Sequence, residues 1–133
     1  MDVLVDSDVL LDIATSDPSW GEWSSKALEA CLDDSRAVIN PLIYAEVSIG
    51  YERIEQLEEA LAPDLFRREP LPYEAAFLAG KCFVDYRKRG GSRSSPLPDF
   101  YIGAHAAVAG FRLLTRDARR YRTYFPRLKL ICP

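Results

Sequence analysis

Apolar residues recur along this chain in two rhythms. Short runs that end at an acid, a proline or a glycine read as strands: Val3-Leu4-Val5 before Asp6, Ala37-Val38-Ile39 before Asn40-Pro41, Arg112 to Thr115, and Leu128 to Ile131. A weaker strand candidate lies at Leu65 to Arg67. Val9, Leu10 and Ile13 instead follow helical spacing. Asp17-Pro18 is a cap residue before a first-turn proline and predicts a helix to about Asp34. Asn40-Pro41 repeats that signal for a helix to about Gly50, which continues from Tyr51 to Ala62 and stops at Pro63. Pro72 opens a long helix reaching Arg89, Gly90 to Ser95 is a flexible loop, Pro98 to Gly110 is an Ala-rich helix, and a short turn or helix follows Asp117.

Strands separated by helices predict an α/β fold, a central parallel sheet of four or five strands with right-handed crossovers and helices on both faces. The sequence shows no repeat, no linker and no second domain, so residues 1–133 read as a single domain. In such sheets a ligand site lies beyond the carboxyl ends of the strands, which directs attention to the residues just after each strand.

Composition adds exclusions. A hydrophobic share of 48% can fill one core, and no apolar run reaches the length a membrane span needs, about 18 residues. Met1 to Asp8 carries acid where a signal peptide begins with basic residues, so the chain reads as cytoplasmic, without a membrane partner. Cys31, Cys82 and Cys132 are odd in number and lack CxxC spacing, which supports neither a disulfide framework nor a zinc knuckle. The net charge of −3 conceals a polarity: residues 1–66 hold 3 basic and 15 acidic side chains, residues 67–133 hold 14 and 5. Eleven of the 13 arginines fall in the second half, which suits either phosphate contacts or an ordinary solvated face.

The residues that follow the strands are acids. Asp6 ends the first strand, Asp8 lies two residues on, and Asp117 stands two residues beyond Thr115. Glu46 has Leu42, Ile43, Ile49 and Gly50 as its helical neighbours, an apolar setting in which an ionised carboxylate needs compensation. Asp99 opens a helix whose face continues through Gly103, Ala106 and Gly110, small residues that predict close approach to the sheet. Each Asp alone has an ordinary alternative as a helix cap. Four acids from four segments on one sheet edge repel one another without a counter-ion. Oxygen-only ligation favours Mg²⁺ or Mn²⁺ over zinc, and such a site can activate water and neutralise a phosphodiester transition state.

The segments Val3 to Leu11, Tyr44 to Gly50, Pro98 to Ala106 and Leu114 to Asp117 resemble, in order, the four signature blocks of PIN-domain ribonucleases. Length and form most resemble the VapC toxins of toxin–antitoxin pairs. The resemblance runs from Val3 to about Tyr121, with Ser7 where Thr is more usual and Asp8 where Asn or Ser is common. It implies a three-layer PIN-like fold, Mg²⁺- or Mn²⁺-dependent endoribonuclease activity on RNA, and a VapB-like antitoxin partner. It maps Asp6, Glu46, Asp99 and Asp117 onto catalytic and metal-binding positions, with Ser7, Asp8 and Thr115 as supporting groups. A general RNA-processing nuclease and a non-catalytic RNA-binding PIN domain remain as alternatives. Asp6-Ser7-Asp8 also loosely resembles a motif of haloacid-dehalogenase-type phosphatases, but no Lys and final acidic pair follow Thr115.

Two basic clusters are candidates for RNA phosphates: Arg116, Arg119, Arg120 and Arg122 beside Asp117, and Arg87, Lys88, Arg89 and Arg93 around Gly90-Gly91. His105 lies six residues after Asp99, about 240° around the helix, and reads as structural. Trp20, Trp23, Tyr44 and Tyr51 offer a groove for a partner helix or a homodimer interface, or ordinary packing.

Overall fold

The computed structural model describes residues 1–133 and has five parallel strands with helices packed on both faces of the sheet. In chain order the elements are β1 (Val3–Val5), α1 (Ser7–Ala14), α2 (Gly21–Asp34), β2 (Ala37–Ile39), α3 (Pro41–Val47), α4 (Ile54–Ala60), β3 (Phe66–Arg68), α5 (Tyr73–Lys88), α6 (Pro98–Ala109), β4 (Arg112–Leu114), α7 (Arg119–Tyr124) and β5 (Leu130–Ile131). A 3₁₀ turn, Ser48–Gly50, follows α3. None of the helices is long and apolar enough to cross a membrane.

The central strands are apolar without alternation because both faces are covered, as parallel sheets require. Val3, Leu4, Val5, Ala37 and Val38 have no exposed surface. Strand order is β3-β2-β1-β4-β5, with Leu4 aligned to Val38 on one side and to Leu113 on the other. The chain therefore winds outward from β1 to β3, then returns to lay β4 on the far side of β1. The order reverses between β1 and β4, and a crevice opens there at the carboxyl edge. Backbone bonds carry this edge past the strands: the Asp6 amide donates to the Leu114 carbonyl at 2.9 Å and the Thr115 amide to Ile131 at 3.0 Å.

Helix boundaries depart from expectation in two places. Residues 18–20 form a turn, because Asp17 Oδ2 accepts from the amides of Ser19 and Trp20 at 3.1 and 2.7 Å, and α2 starts only at Gly21. The expected continuation from Tyr51 to Ala62 is interrupted: Tyr51 and Arg53 are extended, and α4 begins at Ile54, with Gln56 Oε1 accepting from the Arg53 amide. Gly103 also differs from its expected role. A Cβ there would meet the Phe125 ring at 2.4 Å, so its small size admits that ring rather than the sheet. Gly110 ends α6 in the left-handed region with φ of 76°, which glycine adopts without a Cβ clash.

Candidate active site

Asp6 is the N-cap of α1 and is 5% exposed. Its Oδ1 accepts from the Ser7 amide at 2.8 Å, and its Oδ2 accepts from the hydroxyls of Thr115 and Tyr121, both at 2.9 Å. Asp6 thus caps α1 while its carboxylate also lines the cleft. Ser7 Oγ donates to Glu46 Oε1 at 2.8 Å, which ties α3 to the end of β1. Glu46 is half-buried and its expected apolar neighbour Ile49 is 83% exposed; it does not line the cleft beside Asp6 and reaches that edge only through its bond from Ser7. Asp99 Oδ1 accepts from the Tyr121 hydroxyl at 3.4 Å.

Asp8 acts through the backbone. Its carboxylate accepts from the amides of Arg116 and Asp117 at 3.1–3.2 Å and from Thr115 Oγ1 at 3.2 Å, which holds the turn after β4 against α1. Ser7, Asp8 and Thr115 thus bond to Glu46, to the turn that carries Asp117 and to Asp6 respectively. A cleft of about 670 Å³ opens over them, lined by Asp6, Asp8, Asp99, Asp117, Arg119 and Arg120 among others, with neither Cys nor His.

Burial sets the electrostatics. The Asp6 carboxyl is pushed up to about 7, first by desolvation and then by the charges of Asp8 and Asp99, against its bonds from Tyr121 and Thr115. Desolvation likewise raises Asp8, Glu46 and Asp99, with repulsion from Asp99 and Asp8 adding to the rise at Glu46. Asp117 moves the other way, to about 2, because Arg119 pairs with it at 2.7 and 3.0 Å. Arg120 lies 3.5 Å from Asp99.

The four expected acids thus reach one edge, but no three of them close on a common point ready to hold an ion. Two are turned to arginines of α7. The donor set nonetheless suits a hard divalent cation: it is all oxygen, and Asp6, Asp8, Glu46 and Asp99 each bear an acidity suppressed by burial.

The candidate RNA-facing arginines divide. Arg119 is 88% exposed and Arg120 43%, and both line the cleft. Arg116 also borders it, but its guanidinium is turned to Asp12 with two 3.0 Å bonds and lies 5.7 Å from the Trp20 ring centroid, which makes it an internal strut. Arg89 pairs with Asp85 and stacks over Tyr124, another cleft residue, and Arg87 donates to the Arg93 carbonyl, closing the Gly90-Gly91 loop. Trp20 and Trp23 meet edge to face, whereas Tyr44 lies in a separate cleft of about 470 Å³ with Arg68 and Glu69. His105 is 1% exposed and bonds Asn40, away from the acids.

Sequence reasoning missed Tyr121 and Asp12. Tyr121 is 1% exposed and joins Asp6 to Asp99, and Asp12 anchors Arg116. The signal for Asp12 was present as an acid on the otherwise apolar helix of Val9, Leu10 and Ile13.

A parallel three-layer sheet with oxygen donors gathered at its switch point defines an α/β protein with a carboxylate site. The family profile of the PIN domain matches residues 3–126, and the chain belongs to the PIN domain family. Among curated proteins, no sequence matches it. Three solved structures share the fold. VapBC2 from Rickettsia felis, bound to a promoter DNA fragment, is 17% identical with a TM-score of 0.75, covering 100% of this chain and 99% of that one. VapBC-1 from nontypeable Haemophilus influenzae is 18% identical with a TM-score of 0.73, covering 99% and 98%. A toxin–antitoxin complex from Klebsiella pneumoniae is 21% identical with a TM-score of 0.70, covering 98% and 96%.

Proposed function

We propose that the chain is a metal-dependent endoribonuclease, built as a single PIN domain and acting in the cytoplasm as the toxin of a VapBC-type pair. Asp6, Glu46, Asp99 and Asp117 are its catalytic and metal-holding carboxylates. The observation that carries this reading is the gathering of these acids, from four separate segments of a PIN-family chain, on one edge of the sheet.

Mg²⁺ or Mn²⁺ bound among these oxygens supplies Lewis acidity toward water and offsets the charge of a phosphodiester in its transition state. The rest follows from the chain's own groups. Thr115 and Tyr121 orient Asp6, Ser7 orients Glu46, and Asp8 holds the turn that carries Asp117. Arg119 and Arg120 stand at the cleft as cations for RNA phosphates. The partner is a VapB-like antitoxin, a reading supported by the toxin–antitoxin complexes that share this fold. An antitoxin arginine or lysine placed among the acids inhibits by opposing the metal.

The test incubates the purified chain with single-stranded RNA and Mg²⁺ or Mn²⁺, with chelator as the control. Internal cleavage that chelator abolishes, and that co-expression with the small protein encoded next to it suppresses, is the expected outcome. RNA that is bound and left intact at millimolar metal supports the non-catalytic alternative instead.

A further inference from the structure

Three consecutive residues of α7 each touch a different part of the acidic edge. Arg119 makes a two-pronged pair with Asp117, Arg120 approaches Asp99, and Tyr121 donates to Asp6 and, more weakly, to Asp99. The tyrosine differs from the arginines in kind. It is 1% exposed and neutral, while the arginine side chains are 88% and 43% exposed and carry charge into the cleft. Exposed ion pairs are weak, because water competes for both partners. These two contacts can therefore be exchanged without disturbing the buried anchor beside them. Asp117 is itself 44% exposed and Asp99 39%, and both line the cleft, so both carboxylates are open to solvent there.

We propose that Arg119 and Arg120 are resident counter-ions of the acidic edge, which leave Asp117 and Asp99 when a divalent cation enters and then bind RNA phosphates. The inference rests on the metal-dependent nuclease reading above and adds a coupling to it. The carboxylates cannot hold the arginines and the ion with full strength together, and an arginine paired with a carboxylate is not free for a phosphate. Cation and arginine compete for Asp117 and Asp99, whereas cation and RNA assist one another. Such a coupling is reciprocal, since whatever factor the cation adds to RNA affinity RNA adds to cation affinity. Tyr121 keeps Asp6 in place throughout, so the exchange needs rotation of two surface side chains and no movement of the sheet.

The experiment measures binding rather than turnover. Mn²⁺ affinity is determined by calorimetry on the free chain, and RNA affinity by fluorescence anisotropy with a labelled phosphorothioate 12-mer of single-stranded RNA, at rising Mn²⁺. Wild type is compared with the double variant Arg119→Gln, Arg120→Gln, and with Arg127→Gln, Lys129→Gln, which removes the same charge from an exposed surface segment outside the cleft. The expected result is Mn²⁺ binding about fivefold tighter in the first variant and within about twofold of wild type in the second. RNA affinity should rise about fivefold with Mn²⁺ in wild type and stay nearly flat in the Arg119, Arg120 variant. Circular dichroism confirms that both variants fold. Equal Mn²⁺ affinity in wild type and the Arg119, Arg120 variant overturns the exchange while leaving the metal reading intact. The absence of Mn²⁺ heat from every protein overturns the metal reading, and the exchange with it.

Discussion

Asp6 and Asp12 lie six residues apart around α1, and both are nearly buried, at 5% and 3% exposure, yet they are solvated in opposite ways. Asp12 has a full counter-ion in the Arg116 fork and a further bond from Ser24 Oγ at 2.8 Å. Asp6 has only neutral donors, the Ser7 amide and the hydroxyls of Thr115 and Tyr121, and it faces Asp8 and Asp99 besides. A protein that can pair one buried acid on this helix could pair the other. The unpaired one stands at the switch point of the sheet, where the proposed function assigns it to a divalent cation, and the paired one braces the turn between β4 and α7. Burial alone does not separate the two acids, whereas the charge of their partners does, and the buried acid without a counter-ion is the candidate for function.

The comparison breaks most severely at Asp12. Asp12→Ala leaves Arg116 without its carboxylate and Ser24, with no exposed surface, without its acceptor. Loss of about 2–3 kcal/mol is expected, below the range for fully buried pairs because Arg116 is 31% exposed. Urea unfolding reads it, and cleavage should fall in parallel, since Arg116 sits between Thr115 and Asp117.

Asp6→Asn should act in the opposite direction on stability. Without divalent metal at pH 8 the variant is expected to be more stable than wild type by about 1–2 kcal/mol, since a buried charge is removed. Thr115 and Tyr121 keep acceptors by rotating toward Asp8 and Asp99. Cleavage should be lost, and the stabilisation of wild type by millimolar Mg²⁺ should vanish. A metal-free variant less stable than wild type would show that Asp6 serves folding as Asp12 does.

The same contrast appears as a pH dependence. Asp6 holds its proton to about pH 7 when folded but to about 3.8 as an unpaired carboxyl, so between these values the folded chain binds a proton that the unfolded chain has released. Its contribution to stability is complete below pH 4 and is lost as pH rises through 7. Asp117, held near 2, gains its stabilising charge below pH 4 and does not cancel this slope. Wild type in chelator should lose on the order of 2 kcal/mol between pH 4 and pH 8, and Asp6→Asn should lessen the slope, the remainder coming from Asp8, Glu46 and Asp99, which burial raises in the same direction. A wild-type curve that rises across this window would remove Asp6 from the account.

Tyr121→Phe gives the smallest effect. The ring is retained and one hydroxyl is lost from the Asp6–Asp99 bridge, so stability should change by about 1 kcal/mol or less. Mg²⁺ affinity should fall severalfold as Asp6 gains freedom.

Much of this was legible along the chain because it is local. The acid after β1, the proline that starts α3 and the glycine that ends α6 act within a turn of their own positions, and each stands where sequence placed it. Helix starts failed where a side chain closed a turn of its own, as Asp17 does with Ser19 and Trp20. The order of Asp6, Glu46, Asp99 and Asp117 was legible too, but their partners were not. Arg116 is 104 residues from Asp12 and Tyr121 is 115 from Asp6, separations across which no periodicity reaches. A row of arginines after Asp117 reads as one basic patch, and only the fold separates the strut, Arg116, from the exposed counter-ions, Arg119 and Arg120.

Asn40 links two of the helices that carry the acids. Its Oδ1 caps α3 through the Ile43 amide at 2.9 Å, which leaves Nδ2 to face His105 Nδ1 on α6 at 3.0 Å. An amide nitrogen only donates, so Nδ1 must accept and the imidazole proton resides on Nε2. This ring is the only histidine in the chain, hence a single pair of nitrogen resonances with no assignment problem. Nitrogen NMR of histidine-labelled protein thereby reports whether the Asn40–His105 bond between the helix bearing Glu46 and the helix bearing Asp99 is made.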